Sequence, residues 1–197
     1  SQGGITGAIA GPFVGDQIQG MVLSGAGGGM SITLTQRKDI VDIEALIREM
    51  LNFSIDEELT ELHPVSGLIQ VLTDITDPLN YARYWMSEPA SPYSRPLPVL
   101  LTEGLLDEQT PSRTSEALGA AGGLPILEPV AHVSTAHDLL GLDFQKLPAA
   151  GNQTDWTDNA ITAGLAQYAE EDHFAVFDSK PAAELVYDFL RTAIDGD

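Results

Sequence analysis

Cysteine is absent from the 197 residues, which excludes disulfides, thiolate metal sites and a cysteine nucleophile together. Basic residues are scarce: nine lysines and arginines stand against 29 acidic residues, a formal net charge of −20. Only Lys38, Lys146 and Lys180 supply ammonium groups from side chains. An acidic surface of this kind repels nucleic acid and anionic membrane and favours solubility. Neither is expected as a partner, and the composition suits a secreted or salt-adapted protein, extracellular or in the cell envelope. No run approaches the ~18 apolar residues that a membrane span needs, so no transmembrane segment is expected. A charged-then-apolar leader is also missing, and the numbered chain reads as a mature product.

What is present is a globular composition, 43% hydrophobic, enough for one sizeable core and a single domain. The chain opens on "SQGGITGAIAG", with Gly3, Gly4 and Gly7 inside its first seven residues. Each glycine costs a free-standing helix about 1 kcal/mol relative to Ala, so helix propensity does not account for the stretch. A nucleophile elbow does, because there a serine sits on a strained strand-to-helix turn among small residues. Ser1-Gln2-Gly3 supplies the second half of that pattern. Gly4 and Gly7 would let the helix approach a sheet, and the Gln2 amide would point at a developing oxyanion.

Further along, the stretch from Gln17 to Ser24 reads as a short apolar strand that runs into the glycine loop 25–29. That loop lacks the Gly-Lys-Ser/Thr ending of a phosphate loop and leads into no clear helix. From Gln36 to about Thr76 the period becomes helical, with Ile40, Ile43, Ile47, Met50 and Leu51 on one face. Shorter helical patterns surround Leu59 and Leu62 and run from Val65 to Ile75. Pro98 to Gly104 is a second buried strand. Thr110 and Pro111 are the N-cap and first residue of a helix that stops at Gly122-Gly123. Leu124 to Val130 is a short extended segment and Ala131 to Ala160 is irregular. Thr162 to Tyr168 is a third strand, Glu170 to Phe174 its exit loop, and Pro181 to Ile194 a terminal amphipathic helix. Helices alternating with buried strands predict a mostly parallel α/β sheet of about three strands. Residues 1–30 and 97–197 would form its core, and 31–96 a helical cap or insertion.

Ser1, Asp107 and His173 stand in the chain order of an α/β-hydrolase triad, the last two just past predicted strands. The chemistry needs each type: a serine to attack a carbonyl, a histidine to move its proton, and an aspartate to fix the imidazole tautomer. His63, beside a proline in the insertion, reads as structural or pocket-lining. His132 and His137 follow no strand exit and are weaker candidates for the base. Asn152, Asp155, Asp158 and Asn159 offer oxygen ligands for calcium but lack EF-hand spacing and read as a solvated loop. Tyr81, Tyr84 and Trp85 fit either an acyl pocket or packing between insertion and sheet. No cofactor is required.

The sequence resembles the α/β-hydrolase family, particularly its bacterial lipase- and esterase-like members, in several places. "SQGG" is similar to the end of the family's Gly-His-Ser-Gln-Gly-Gly elbow, and "VLSGAGGG" to the strand that follows it. "LLTEGLLDEQTP" resembles the strand and loop that bear the acid. "EEDHFAVF" resembles the histidine loop, with Asp172 where Gly-His-Phe is the more usual form. "DPLNYARYW" is similar to a subset of extracellular bacterial hydrolases. The resemblance implies a lipase- or esterase-type serine hydrolase that acts on small-molecule or lipid esters. Ser1 would be nucleophile, His173 general acid/base, Asp107 its partner and Gln2 an oxyanion donor. It covers the family fold only from the nucleophile onward, so a companion chain is expected to carry the upstream strands, released from one precursor by cleavage before Ser1. Two other readings stand beside it: an N-terminal-nucleophile amidohydrolase with the Ser1 α-amine as base, and a catalytically silent hydrolase-like binding domain.

Overall fold

The computed structural model describes residues 1–39 and 41–195, with side chains to Ile194. Helix α1 (Gln2–Ala10) leads through a single 3-10 turn to strand β1 (Met21–Ser24). Three helices follow, α2 (Met30–Gln36), α3 (Ile43–Met50) and α4 (Pro64–Thr73), and then three short 3-10 turns between Asp74 and Tyr84. The chain returns to the sheet as β2 (Val99–Gly104) and continues as α5 (Ser112–Ala121), β3 (Ile126–Leu127), α6 (Thr135–Leu140) and β4 (Phe144–Gln145). A small antiparallel pair, β5 (Gln153–Thr154) and β6 (Ala160–Ile161), precedes β7 (Ala163–Tyr168), α7 (Ala175–Asp178) and α8 (Lys180–Asp195).

Strands β1, β2, β7, β3 and β4 lie in that order in one sheet, and every pair is parallel. The architecture is therefore α/β, a parallel five-stranded sheet flanked by helices. β2 is buried at all six positions and β7 at five of six, as expected of central parallel strands covered on both faces. On one face Leu23, Val99, Leu101 and Leu165 pack with Ala8 of α1, Leu118 of α5 and Trp85. On the other, Leu100, Leu127 and Ala166 meet Phe189 of α8.

The sheet has five strands where the sequence predicts about three. The expected extended segment contains β3, and the stretch read as irregular contains α6, β4 and the β5–β6 hairpin. The glycine loop also leads directly into a helix, α2, contrary to expectation. Gly29 at its N-cap has φ +90° and offers no capping side chain. The missing acceptor comes from Asp77, whose carboxylate takes the Gly29 amide at 2.9 and 3.0 Å and the Met30 amide at 3.2 Å. A buried aspartate thus occupies the place where a phosphate would sit, so the loop is not a phosphate site. Of the apolar face predicted around α3, Ile40 lies outside the described residues. Met50 and Leu51 are exposed, and α3 buries no residue.

Candidate active site

The site forms where β1, β2 and β7 end together. β2 and β7 are in register from Val99 opposite Ala163 to Gly104 opposite Tyr168, so the loops after them emerge side by side. Backbone bonds join those loops: the Leu105 amide donates to the Tyr168 carbonyl at 3.0 Å and the Leu106 amide to the Glu171 carbonyl at 3.0 Å. The approach is so close that a Cβ on Gly104 would lie 2.2 Å from the Asp172 carbonyl oxygen and 2.4 Å from that of Glu171. Only glycine fits there.

The interlock brings together two of the residues singled out in the sequence, although 66 positions separate them. His173 Nδ1 lies 2.7 Å from Asp107 Oδ2, with side chains only 8% and 3% exposed. The other carboxylate oxygen of Asp107 accepts the Gln109 and Thr110 amides, each at 2.8 Å. Asp107 is thereby fixed from both sides. The acid's backbone bonds leave one oxygen free to orient the imidazole, so that Nε2 is the ring nitrogen open to chemistry. Asp172, where the resemblance leads one to expect glycine, has a negative φ and accepts the Phe174 amide at 2.9 Å, closing the turn that carries His173.

The other face of the imidazole rests on the glycine loop. Gly25 has φ +55°, and a Cβ there would meet His173 Cε1 at 2.7 Å and Nδ1 at 3.0 Å. Arg37, at the end of α2, is paired with Asp39 at 2.7 Å. Its guanidinium is held above its ordinary value first by that hydrogen bond and also by the charge of Asp107, which places the end of α2 near Asp107.

Ser1 is exposed at the N-cap of α1, and its hydroxyl is not used as a cap. With His173 it lines a cavity of about 440 Å³ whose apolar walls include Met21, Leu23, Phe174 and Phe177. Among the described residues no hydrogen bond joins Ser1 Oγ to His173. Gln2 opens the helix, where the first four amides have no intrahelical acceptor. The structure thus brings Asp107 and His173 into direct contact, and puts Ser1 in the same cavity without a bond to either.

The remaining candidates have structural partners. His63 caps α4 through the Val65 amide and faces Glu57. His132 pairs with Glu116, and His137 is buried against Ser134 Oγ at 2.8 Å. Trp85 is fully buried, donates to the Ala8 carbonyl at 2.9 Å and belongs to the core. Tyr81 donates to the Ile75 carbonyl, and Tyr84 accepts from Arg83. None of the three aromatics lines the Ser1 cavity. The Asn152–Asn159 loop is tied internally by Asp155, which accepts from Thr157 and the Asn159 amide. No group of residues suited to a metal ion occurs among the described residues, and none of their helices is long and apolar enough to cross a membrane. Sequence reasoning passed over Gly25, Gly104 and Asp77. Asp77 had a signal, an Asp-Pro pair at a turn start. The two glycines had none beyond their positions at strand ends.

No protein-family model matches the chain, and no curated protein matches it.

Proposed function

We propose that the protein is a serine hydrolase of the α/β-hydrolase type that cleaves carboxylic esters through an acyl-enzyme. The observation that carries this reading is the buried His173–Asp107 pair, at the C-terminal ends of parallel strands where open α/β sheets keep their chemistry. Ser1 Oγ would attack the ester carbonyl while His173 Nε2 takes its proton. The Gln2 amide, at the positive end of α1, would stabilise the oxyanion. Collapse of the tetrahedral intermediate expels the alcohol with the proton from His173. Water, deprotonated in turn by His173, then releases the acid and restores Ser1. Asp107 holds the tautomer throughout. The apolar cavity suits an acyl or aromatic substrate, and the 31–96 insertion would act as a cap. The acidic surface is in keeping with a secreted enzyme.

The reading includes a companion chain or segment. β1 is an edge strand of the parallel sheet, and the Ser1 cavity runs along it past Met21, Val22, Leu23 and Ser24. A bare edge beside an apolar cavity is a place for another strand. That strand would bring the nucleophile turn into the same frame as the dyad. Copurification of this chain alone as a stable, active monomer would sink this part of the proposal.

A fluorophosphonate reaction followed by denaturing intact-mass measurement tests the whole. The expected result is an adduct on this chain that maps to Ser1 and is lost in His173→Ala. An N-terminal-nucleophile enzyme would keep its acylation in that variant. No adduct with the companion present would instead favour a silent binding domain.

A further inference from the structure

Just beneath the dyad, on the α5 side of the sheet, the apolar core gives way to a layer of buried polar groups. Glu103 of β2, 2% exposed, faces its register partner Gln167 of β7, and Gln167 Nε2 donates to Glu103 Oε1 at 2.7 Å. The Gln167 carbonyl oxygen in turn accepts the amides of Ala131 and His132 at 3.1 and 3.0 Å. One carboxyl therefore ties two central strands to the segment that follows β3. Its second oxygen, Oε2, is buried with no hydrogen-bond partner among the described residues. No lysine or arginine pairs with it there. The charged group that acts on it is the carboxylate of Glu116 on α5, 3% exposed and paired with His132. From α6, His137 feels the same Glu116 and is pushed by burial below its ordinary value. β7 contributes the uncharged Gln167.

An ionised carboxylate in this setting would face another carboxylate across a dry interior with one oxygen unsolvated, an arrangement proteins avoid by keeping the group neutral. We propose that Glu103 carries a proton in the folded protein at neutral pH, and that the buried Glu103–Gln167 tie makes the fold pH-sensitive, costing it stability as that proton leaves. Burial raises the Glu103 carboxyl from its ordinary 4.5 to about 8, opposed by the Gln167 hydrogen bond and reinforced by Glu116. The sign follows from linkage. A folded-state value above the unfolded one gives stability that is complete below the unfolded value and is lost as pH rises toward the folded value. The folding constant should therefore fall about tenfold per pH unit between about 4.5 and about 8, and the effect should level off above that.

Denaturant unfolding of the chain from pH 4 to 9, beside Glu103→Gln, tests the tie. The amide variant keeps an oxygen for Gln167 and has no proton to lose. Every other titratable group is common to both proteins, so the difference between the two curves isolates Glu103 together with its coupling to Glu116. The expected result is that the wild type loses ground steadily to the variant up to about pH 8 and then runs parallel to it. Parallel stability curves throughout would overturn the proposal. Should the variant not fold, infrared or carbon NMR detection of the wild-type carboxyls decides: a protonated acid that persists at pH 7 supports the tie, and full ionisation of every carboxyl at that pH refutes it. Neither readout depends on ester hydrolysis, so a silent catalytic site leaves the test intact.

Discussion

Gly25→Ala separates the integrity of the fold from that of the dyad. Two costs arise at this position. The backbone sits at φ +55°, where a Cβ costs about 1 kcal/mol or slightly more. The new methyl would also stand 2.7 Å from His173 Cε1 and 3.0 Å from Nδ1, against a comfortable carbon separation of about 3.5–4.0 Å. Backbone on one side and the ring on the other must share roughly 1 Å of movement. The ring has little room, because Phe174 is stacked edge-on at 5.2 Å and Asp107 holds Nδ1 at 2.7 Å. Displacement of that size breaks the His173–Asp107 bond, a charge-assisted contact worth ~1.5–3 kcal/mol.

The sum is a destabilisation of roughly 3 kcal/mol, which for a domain of this size lowers Tm by about 6–12 °C. The more telling assay is proton NMR. An imidazole Nδ1–H held by a buried carboxylate gives a resonance far downfield, and in the Gly25→Ala variant it should vanish or move upfield while the methyl signals of the core stay dispersed. Ester hydrolysis, where the proposed activity is measured, should fall at least a hundredfold. A variant with unchanged Tm and an unmoved downfield proton would refute the claim that the glycine loop buttresses the histidine.

Asp107→Asn keeps an oxygen for the Gln109 and Thr110 amides but turns an NH2 toward Nδ1, which selects the wrong tautomer. Acylation by a fluorophosphonate should drop by about 10⁴ with near-normal unfolding, and a loss under tenfold would argue against a triad. Asp77→Ala leaves the amides of Gly29, Met30 and Leu79 and the Gln70 side chain without their shared acceptor. At about 1–3 kcal/mol for each buried orphan donor, partly relieved by water, denaturant unfolding should show a loss of roughly 3–5 kcal/mol. A change under about 1 kcal/mol would mean the loop holds itself. Trp85→Ala empties a fully buried site and orphans the Ala8 carbonyl, so calorimetry should register about 3–5 kcal/mol; near-wild-type stability would remove Trp85 from the core.

The parts of the fold that the sequence announces are those with local causes. β1 and β2 are apolar runs bounded by glycine or proline, β7 is a largely apolar run that ends at an acidic turn, and α5 and α8 carry their own periodicity and stops. Of the two-residue strands, β3 shows only as a short extended segment and β4 has no such signature. Ile126 is a strand residue because it pairs with Leu165, and Phe144 because it pairs with Ile126. α2 escaped for the same reason: its cap is Asp77, 47 residues beyond Met30, and a scan for capping residues looks only a few positions away. Asp107 and His173 were legible because each follows a strand exit, and neighbouring parallel strands deliver their exits to one place. Glu103 carried a signal that the apolar-run reading absorbed, an acid in the middle of a strand buried on both faces.

The site is held unevenly, and the unevenness fits the proposed division of labour. Asp107 and His173 are fixed by backbone bonds between their loops, by the contact at Gly104 and by the wall at Gly25, all supplied within this chain. Ser1 is held more lightly. α1 has one buried residue, Ala8, and its hydrogen bond to Trp85 is at the end remote from Ser1. Near the serine, Gly4 rests against Ala26. An acid–base pair can wait in this state, since its geometry is independent of the nucleophile. Attack on a carbonyl cannot, because effective nucleophilic geometry is lost with a displacement of about 1 Å. On the proposed reading, a strand laid along β1 would clamp the turn that carries Ser1, wall the apolar cavity and cover the sheet edge in a single step. Assembly would then switch on the nucleophile while leaving the dyad as it is.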